Sequence, residues 1–375
     1  MHMKNTLAKT MVIELLRLAG VTINGHAPWD VRVHNEQFYE RVLADTDLGL
    51  GETYMERWWD CERIDLLIAR ILASNIEAKF KKNYRLLFKL LRTKFFNLQT
   101  KRRALLVGKK HYDLGNELFQ IMLDSHMNYT CGYWNNVETL EQAQLAKLDL
   151  VCKKMLLKPG MRVLDIGCGW GAFAKYAAQH YGVSVVGITI SHQQCEFAKE
   201  SCKNLPIDIH FQDYRELNQP FDRIVSLGMF EHVGYLNYRT YMQIIRNCLT
   251  DDGLFLLHTI GGNVSTTQAT RWISTYIFPN GMLPSIMQIG KATEKLLIME
   301  DWHNFGLDYY QTLMAWHRNF NQGWNQIKHH YDDRFFRMWN FYLLSCAAGF
   351  QAREMQLWQI VFSKRGLRDR YEAAR

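Results

Sequence analysis

Several features that would have steered this chain elsewhere are missing. Its eight cysteines are scattered without C-x-x-C spacing, which suggests neither a zinc site nor a disulfide framework. Free thiols fit a reducing cytoplasm. No H-x-x-x-H or similar grouping is present, so no metal is expected. No run approaches the ~18 consecutive apolar residues of a membrane-crossing helix. The opening MHMKNTLAKT lacks the apolar stretch and cleavage site of a signal peptide. These absences point to a soluble intracellular protein.

Acidic residues are absent from one long stretch. Twelve Lys or Arg residues and no Asp or Glu lie between Lys79 and Lys110. Within it Phe80, Tyr84, Leu87, Phe88, Leu91 and Phe95 recur at helical spacing, while Lys81, Lys82, Arg85, Lys89 and Arg92 fall mostly elsewhere on the wheel. Such a helix can lie on an anionic bilayer, where each Lys or Arg contributes about 1 kcal/mol. Packing of its apolar face on its own domain is the alternative. A linker is expected at residues 96–110. It would separate a small N-terminal domain (1–95), with a hairpin turning at Asn24-Gly25, from a larger domain (111–375).

What is present argues for a sizeable core: 375 residues, 48% apolar, with 11 Trp, 18 Tyr and 20 Phe. That length suits about two domains. The formal charge of +8 favours an anionic partner. Past residue 110, apolar β-branched runs alternate with helical stretches: RVLDIG (162–167), VSVVGITI (183–190), IDIHFQD (207–213), FDRIVSLG (221–228) and GLFLLHTI (253–260). Alternation of this kind predicts an α/β fold with a parallel sheet covered on both faces. Ligands in such sheets bind beyond the carboxyl ends of the strands.

The sharpest motif is LDIGCGWGAF. Asp165 ends a strand, and Gly167, Gly169 and Gly171 alternate through the turn into a helix. The spacing is D-x-G-x-G-x-G rather than the G-x-G-x-x-G of dinucleotide folds. It resembles the first motif of class I S-adenosylmethionine-dependent methyltransferases, whose Rossmann-like domain the resemblance implies here, beside the smaller N-terminal domain. In that family the loop, with Trp170 in this chain, passes beneath the methionine part of the cofactor and the acid anchors its charged groups. Generic members carry an acid after the second strand for the ribose. This chain reads VVGITISHQQ, which leaves Thr189 and Gln194 as neutral partners.

That departure fits a closer resemblance. HYDLGNELFQIMLDSHMNYTCGYW, QDYREL, FDRIVSLGMFEHVG, LFLLHTIG, YIFPNGMLPS, EDWHNFGLDYYQTLMAW and QLWQIVFS together resemble the cyclopropane fatty acid synthases, of the bacterial phospholipid-modifying type. The likeness implies methylene transfer from S-adenosylmethionine to the cis double bond of an unsaturated acyl chain in an anionic membrane. A bound bicarbonate ion would serve as the base, at positions matching Cys131, Glu231, His258, Ile260 and Tyr309. In that reading Glu231 and His258 orient the ion, Cys131 and Ile260 offer backbone N–H groups, and Tyr309 a phenol. Tyr129 and Thr130 would cover the methionine end, and Asp213 and Tyr214 the adenine. Cys346 matches a cysteine given catalytic importance in the family, although the chemistry needs no thiolate and its small-residue surroundings equally suit packing. The resemblance also implies a homodimer, peripheral to the inner face of the cell membrane. Alternatives are a related enzyme leaving a methyl branch, or an inactive membrane-binding protein. No N/D-P-P-Y-type motif for base methylation is present, so nucleic acid is not an expected partner.

Overall fold

The computed structural model describes residues 2–74 and 115–375, with side chains from Thr6 onward. The basic run Lys79–Lys110, and with it the linker expected at 96–110, lies outside the described residues. Among the described residues no helix is long and apolar enough to cross a membrane. The chain forms two compact units, and neither is continuous in sequence. One takes residues 1–114 with 269–279 and 321–354; the other takes 115–268, 280–320 and 355–375. An N-terminal domain confined to residues 1–95 therefore lacks two later segments that fold with it.

The reason is an aromatic core that the early residues cannot complete. In the first unit the helices Phe38–Asp45, Asp47–Met55 and Ile64–Ala73 accompany a two-stranded antiparallel ladder, β1 (Arg32–Val33) with β2 (Trp59–Asp60). Trp59 is fully buried, and its indole N–H donates to the Leu50 carbonyl and the Thr53 hydroxyl. Its ring meets Phe38, Tyr54 and Phe341, the last from helix Asp333–Gln351. Arg337, one turn earlier on that helix, donates to the carbonyls of Tyr54 and Trp59 and to the Asp60 carboxylate. Its guanidinium lies 3.8 Å over the Tyr54 ring. Gly51 allows close approach to Trp272: a Cβ there would stand 2.2 Å from the indole nitrogen. The hairpin expected around Asn24-Gly25 does not form. Asn24 is left-handed (φ +54°), but the Asp30 carboxylate accepts from the Thr22 and Ala27 N–H groups and closes the loop on itself. β1 pairs with β2 instead.

The second unit is built on a seven-stranded sheet. Its strands are β3 (Arg162–Ile166), β4 (Ser184–Thr189), β5 (Ile207–Phe211), β6 (Phe221–Leu227), β7 (Leu249–Gly262), β8 (Ile298–Asn304) and β9 (Met355–Ser363). The order is β5-β4-β3-β6-β7-β9-β8, with β5 through β7 parallel neighbours and β9 antiparallel between β7 and β8. The five expected strands are all present, and β8 and β9 are additions. Helices Leu140–Lys154 and Ala172–Tyr181 bury Leu148, Val151, Phe173 and Ala177 against one face. Helices Tyr238–Cys248 and Ile286–Thr293 bury Tyr241, Ile245 and Ile289 against the other. The chain runs outward from β3 to β5 and returns to β6 on the far side of β3. That reversal makes the β3/β6 boundary the place for a ligand. The α/β, Rossmann-like class is as the sequence implies.

Candidate active site

β3 ends at Asp165-Ile166 and hands the chain to three left-handed glycines. Gly167, Gly169 and Gly171 have φ of +80°, +55° and +88°, where side chains are strained. Their surroundings separate their tasks. A Cβ on Gly167 would stand 2.8 Å from Met229, and one on Gly171 2.9 Å from the Cys202 sulfur, whereas one on Gly169 meets nothing within 4 Å. Two of these glycines serve packing, and Gly169 keeps bare backbone toward open space. The N–H groups of Gly167 and Cys168 both donate to the Ile188 carbonyl, tying the loop to β4. Trp170 is buried beside Phe119, and its indole N–H donates to Asn116.

Asp165 is almost wholly buried, and its Oδ2 has no hydrogen-bond partner. Burial pushes its pKa up to about 7, against the pull of the Lys147 ammonium. A buried carboxylate oxygen without a donor is costly. A ligand bearing positive charge, as S-adenosylmethionine does, would satisfy it. Beyond β4, Thr189 Oγ1 donates to Gln194 Oε1 at 3.1 Å and accepts the Ser191 N–H, bringing the two neutral candidates together. Beyond β5 the arrangement is more closed. Asp213 accepts from the Arg215 guanidinium at 2.6 Å and from the Arg215 N–H at 2.9 Å, which holds its carboxyl below the ordinary value. Tyr214 sets its ring edge-on to Tyr241 at 5.0 Å, against the core.

Tyr129, Thr130 and Cys131 lie on the segment leading to helix Leu140–Lys154. The Tyr129 ring contacts Phe119 and Trp316. Lys147, on that helix and buried, donates to the Thr130 hydroxyl at 3.0 Å and to Asn128 Oδ1 at 2.8 Å. Burial lowers its pKa to about 8, with Asp124 opposing. Gln144 donates to the Thr130 carbonyl at 2.8 Å. The N–H of Gly132 and the indole of Trp134 donate to Thr312 Oγ1, which fastens helix Gly306–Ile327 to this segment with Tyr309 buried one turn before the contact. Cys131 is buried, and desolvation holds its thiol well above its ordinary pKa. Its side chain is therefore a neutral thiol.

β6 runs into Gly228, whose N–H donates to the His258 carbonyl, and then a single turn, Phe230–His232, carries Glu231. Glu231 Oε1 accepts the Ile260 N–H at 2.7 Å, and Oε2 is buried without a partner. Burial raises this carboxyl to a pKa of about 7, with the Ile260 N–H opposing. The Ile260 donor, expected to face an anion, is thus taken by Glu231. His258 is buried on β7 opposite Gln359 of β9, and Gln359 Nε2 stands 3.3 Å from its Nδ1. With the amide donating, the ring proton belongs on Nε2, which is also buried without a partner. Burial and the ammoniums of Lys147 and Lys154 keep the imidazole neutral. Past the ends of adjacent parallel strands Glu231 Oε2 is thus left without a donor and His258 Nε2 without an acceptor, and the nearby hydroxyls of Ser226, Tyr238 and Tyr241 are likewise buried without a partner.

Residues 99–360 match the family profile described as mycolic acid cyclopropane synthetase. The chain belongs to the cyclopropane synthase family. It is 52% identical over 362 residues to a cyclopropane-fatty-acyl-phospholipid synthase of Escherichia coli strain K12, covering 96% of this chain and 94% of that protein. A probable fatty acid methyltransferase of Pseudomonas putida is 35% identical over 267 residues, 68% of each chain. A mycolic acid cyclopropane synthase crystallised with SAH and CTAB is 30% identical, with a TM-score of 0.65 over 72% of this chain and 100% of that one.

In this cyclopropane synthase the side chains that sequence reasoning passed over are those that hold others. Nothing in the sequence singles out Lys147, Gln144 or Gln359; only the fold shows them gripping Thr130 and His258. Cys346 lies apart in sequence and in unit, on helix Asp333–Gln351, and burial pushes its thiol up to about 12. Asp124, His126 and Glu141 bring ligating atoms within 4.8 Å of one another. Asp124 already accepts from the N–H groups of His126 and Asn128, and Glu141 from Ser125, so this cluster is knitted from within.

Proposed function

We propose that this cyclopropane synthase transfers a methylene group from S-adenosylmethionine to the cis double bond of unsaturated acyl chains in membrane phospholipids. The observation that carries the reading is the buried, partnerless pair of Glu231 Oε2 and His258 Nε2, set by the sheet beside the Asp165 glycine loop. S-adenosylmethionine supplies an electrophilic methyl, and a bicarbonate ion a base too weak a nucleophile to trap the alkyl cation. Asp165, Trp170 and the bare backbone of Gly169 receive the methionine end with Tyr129 and Thr130; Gly167 and Gly171 shape the loop. Thr189 and Gln194 hold the ribose, and Asp213, still paired with Arg215, borders the adenine with Tyr214. Glu231 accepts the proton of the anion and His258 donates to it, with the Cys131 backbone and the Tyr309 phenol completing the cage. Ile260 contributes by fixing Glu231, which keeps that carboxylate turned away from the cation. Cys346 packs.

In the same reading the enzyme is a homodimer on the cytoplasmic face of an anionic membrane, with the basic run 79–110 and the first unit serving lipid attachment. Lipids from cells expressing the chain test the function by mass spectrometry and NMR. A gain of one CH₂, with loss of the alkene and appearance of ring protons, is expected. A methyl-branched product would move the assignment to the chemistry of a fatty acid methyltransferase, and unaltered lipids would refute both.

A further inference from the structure

Beside the Glu231 turn, the second unit carries apolar side chains that no step of the reaction uses. Tyr235 and Leu236 sit on the turn Tyr235–Asn237, Val264 lies just past β7, and Ile286 and Met287 open helix Ile286–Thr293. Their exposures are 43%, 78%, 73%, 58% and 69%. The backbone presenting them is well fastened. The Met282 N–H donates to the Glu231 carbonyl and the Gly262 N–H to the Pro284 carbonyl, both at 2.9 Å. Ser265 and Ser285 hydroxyls meet at 2.6 Å, and a capping box between Ser285 and Gln288 fixes the first helical turn. Segments 232–239, 262–268 and 280–293 carry Arg239 and Lys291 and not one Asp or Glu. Large apolar side chains held in water on ordered backbone mark a surface that something covers.

We propose that this patch is the bilayer-docking surface of the catalytic unit. It sinks Tyr235, Leu236, Val264, Ile286 and Met287 into the headgroup boundary of an anionic phospholipid membrane, so that an acyl chain leaves the bilayer beside Ile260. The proposal rests on the lipid-substrate reading above and adds the surface by which that substrate arrives. A membrane fits better than a second copy of the chain. Two-fold pairing would bring one acid-free, positively charged patch against another like it, whereas anionic headgroups neutralise Arg239 and Lys291.

The test compares full-length wild type with L236S/I286S/M287S and with R239Q/K291Q. Cosedimentation uses vesicles of unsaturated phosphatidylglycerol and phosphatidylcholine, and methyl transfer is measured on those vesicles and on the same lipids dispersed in detergent. The serine variant should lose vesicle binding and vesicle turnover about tenfold or more, a shift of about 1.4 kcal/mol, while turnover in detergent stays near wild type. The glutamine variant should weaken binding to anionic vesicles and leave neutral ones unaffected. Unchanged vesicle binding by the serine variant overturns the proposal. So does a drop in particle size by light scattering with vesicle turnover retained, which would make the patch a subunit interface. Because cosedimentation needs no turnover, a wild type that transfers nothing in detergent would count against the proposed reaction while the binding arm still decides the patch.

Discussion

The Arg337 knot of the first unit and the Glu231–His258 pair of the second both place charged or polar groups out of water, and they are finished in opposite ways. Arg337 meets two carbonyls, a carboxylate and an aromatic face, so its Nε and Nη2 donors end on acceptors within the chain. Glu231, His258 and Asp165 each keep one buried atom unmatched. A satisfied network adds rigidity, whereas unmatched atoms weaken the fold until a ligand completes them. The Arg337 knot spends its polarity on holding one core together, and the Glu231, His258 and Asp165 atoms leave theirs unmatched.

The comparison breaks most sharply at Glu231. Glu231→Gln puts an amide donor where an acceptor is needed, so turnover should fall about 10²- to 10³-fold with S-adenosylmethionine affinity nearly unchanged. Steady-state kinetics with calorimetric titration checks both halves, and near-wild-type turnover would remove Glu231 from the site. Next in size is Gly169→Val. A side chain at φ +55° costs about 1–2 kcal/mol and would occupy the open space that a Cβ at position 169 would enter. Cofactor affinity should drop more than about tenfold; unchanged affinity in a folded variant would show the loop faces something else.

On the closed side, Arg337→Met should lower stability by about 3 kcal/mol, the scale of hydrogen bonds to charged groups, and leave turnover per folded molecule near wild type. Denaturant titration beside activity separates the two. The smallest effect concerns pH. Asp165 and Glu231 hold protons up to about pH 7 in the folded chain, while the unfolded chain releases them near pH 4. The native state therefore binds more protons across that window, and ligand-free stability should fall as pH rises from about 4 to about 7. Saturating S-adenosylmethionine should flatten the slope, as should Asp165→Asn with Glu231→Gln. A slope unaffected by either would mean these carboxyls titrate normally.

Much of the second unit was legible in the sequence because its signals are local. Apolar β-branched runs ending in Asp165 or Gly228 announce parallel strands, and the alternating glycines announce the turn. What escaped depends on partners distant in the chain. RWISTYIFPNG and the Arg337 helix read as parts of the catalytic region, since periodicity marks a buried face without saying which core receives it. Lys147 has the look of a solvated helix lysine until Asn128 and Thr130 close over it. The pairing of Asp213 with Arg215, two residues on, is likewise visible only in the fold. β8, IMEDWHN, is an edge strand with little burial, so its pattern is weak.

The place of β9 in the sheet bears on how the protein is made. A ribosome delivers β7 about a hundred residues before the strand that will cover its free edge, since Leu254–Gly262 must wait for Met355–Ser363. Throughout that interval FLLHTI is an apolar edge open to any passing strand. The nascent polypeptide should therefore lean on chaperones late in translation. Its histidine cannot be steadied by Gln359 until that strand emerges, so a chain stalled short of residue 355 would possess the glycine loop with His258 still unanchored.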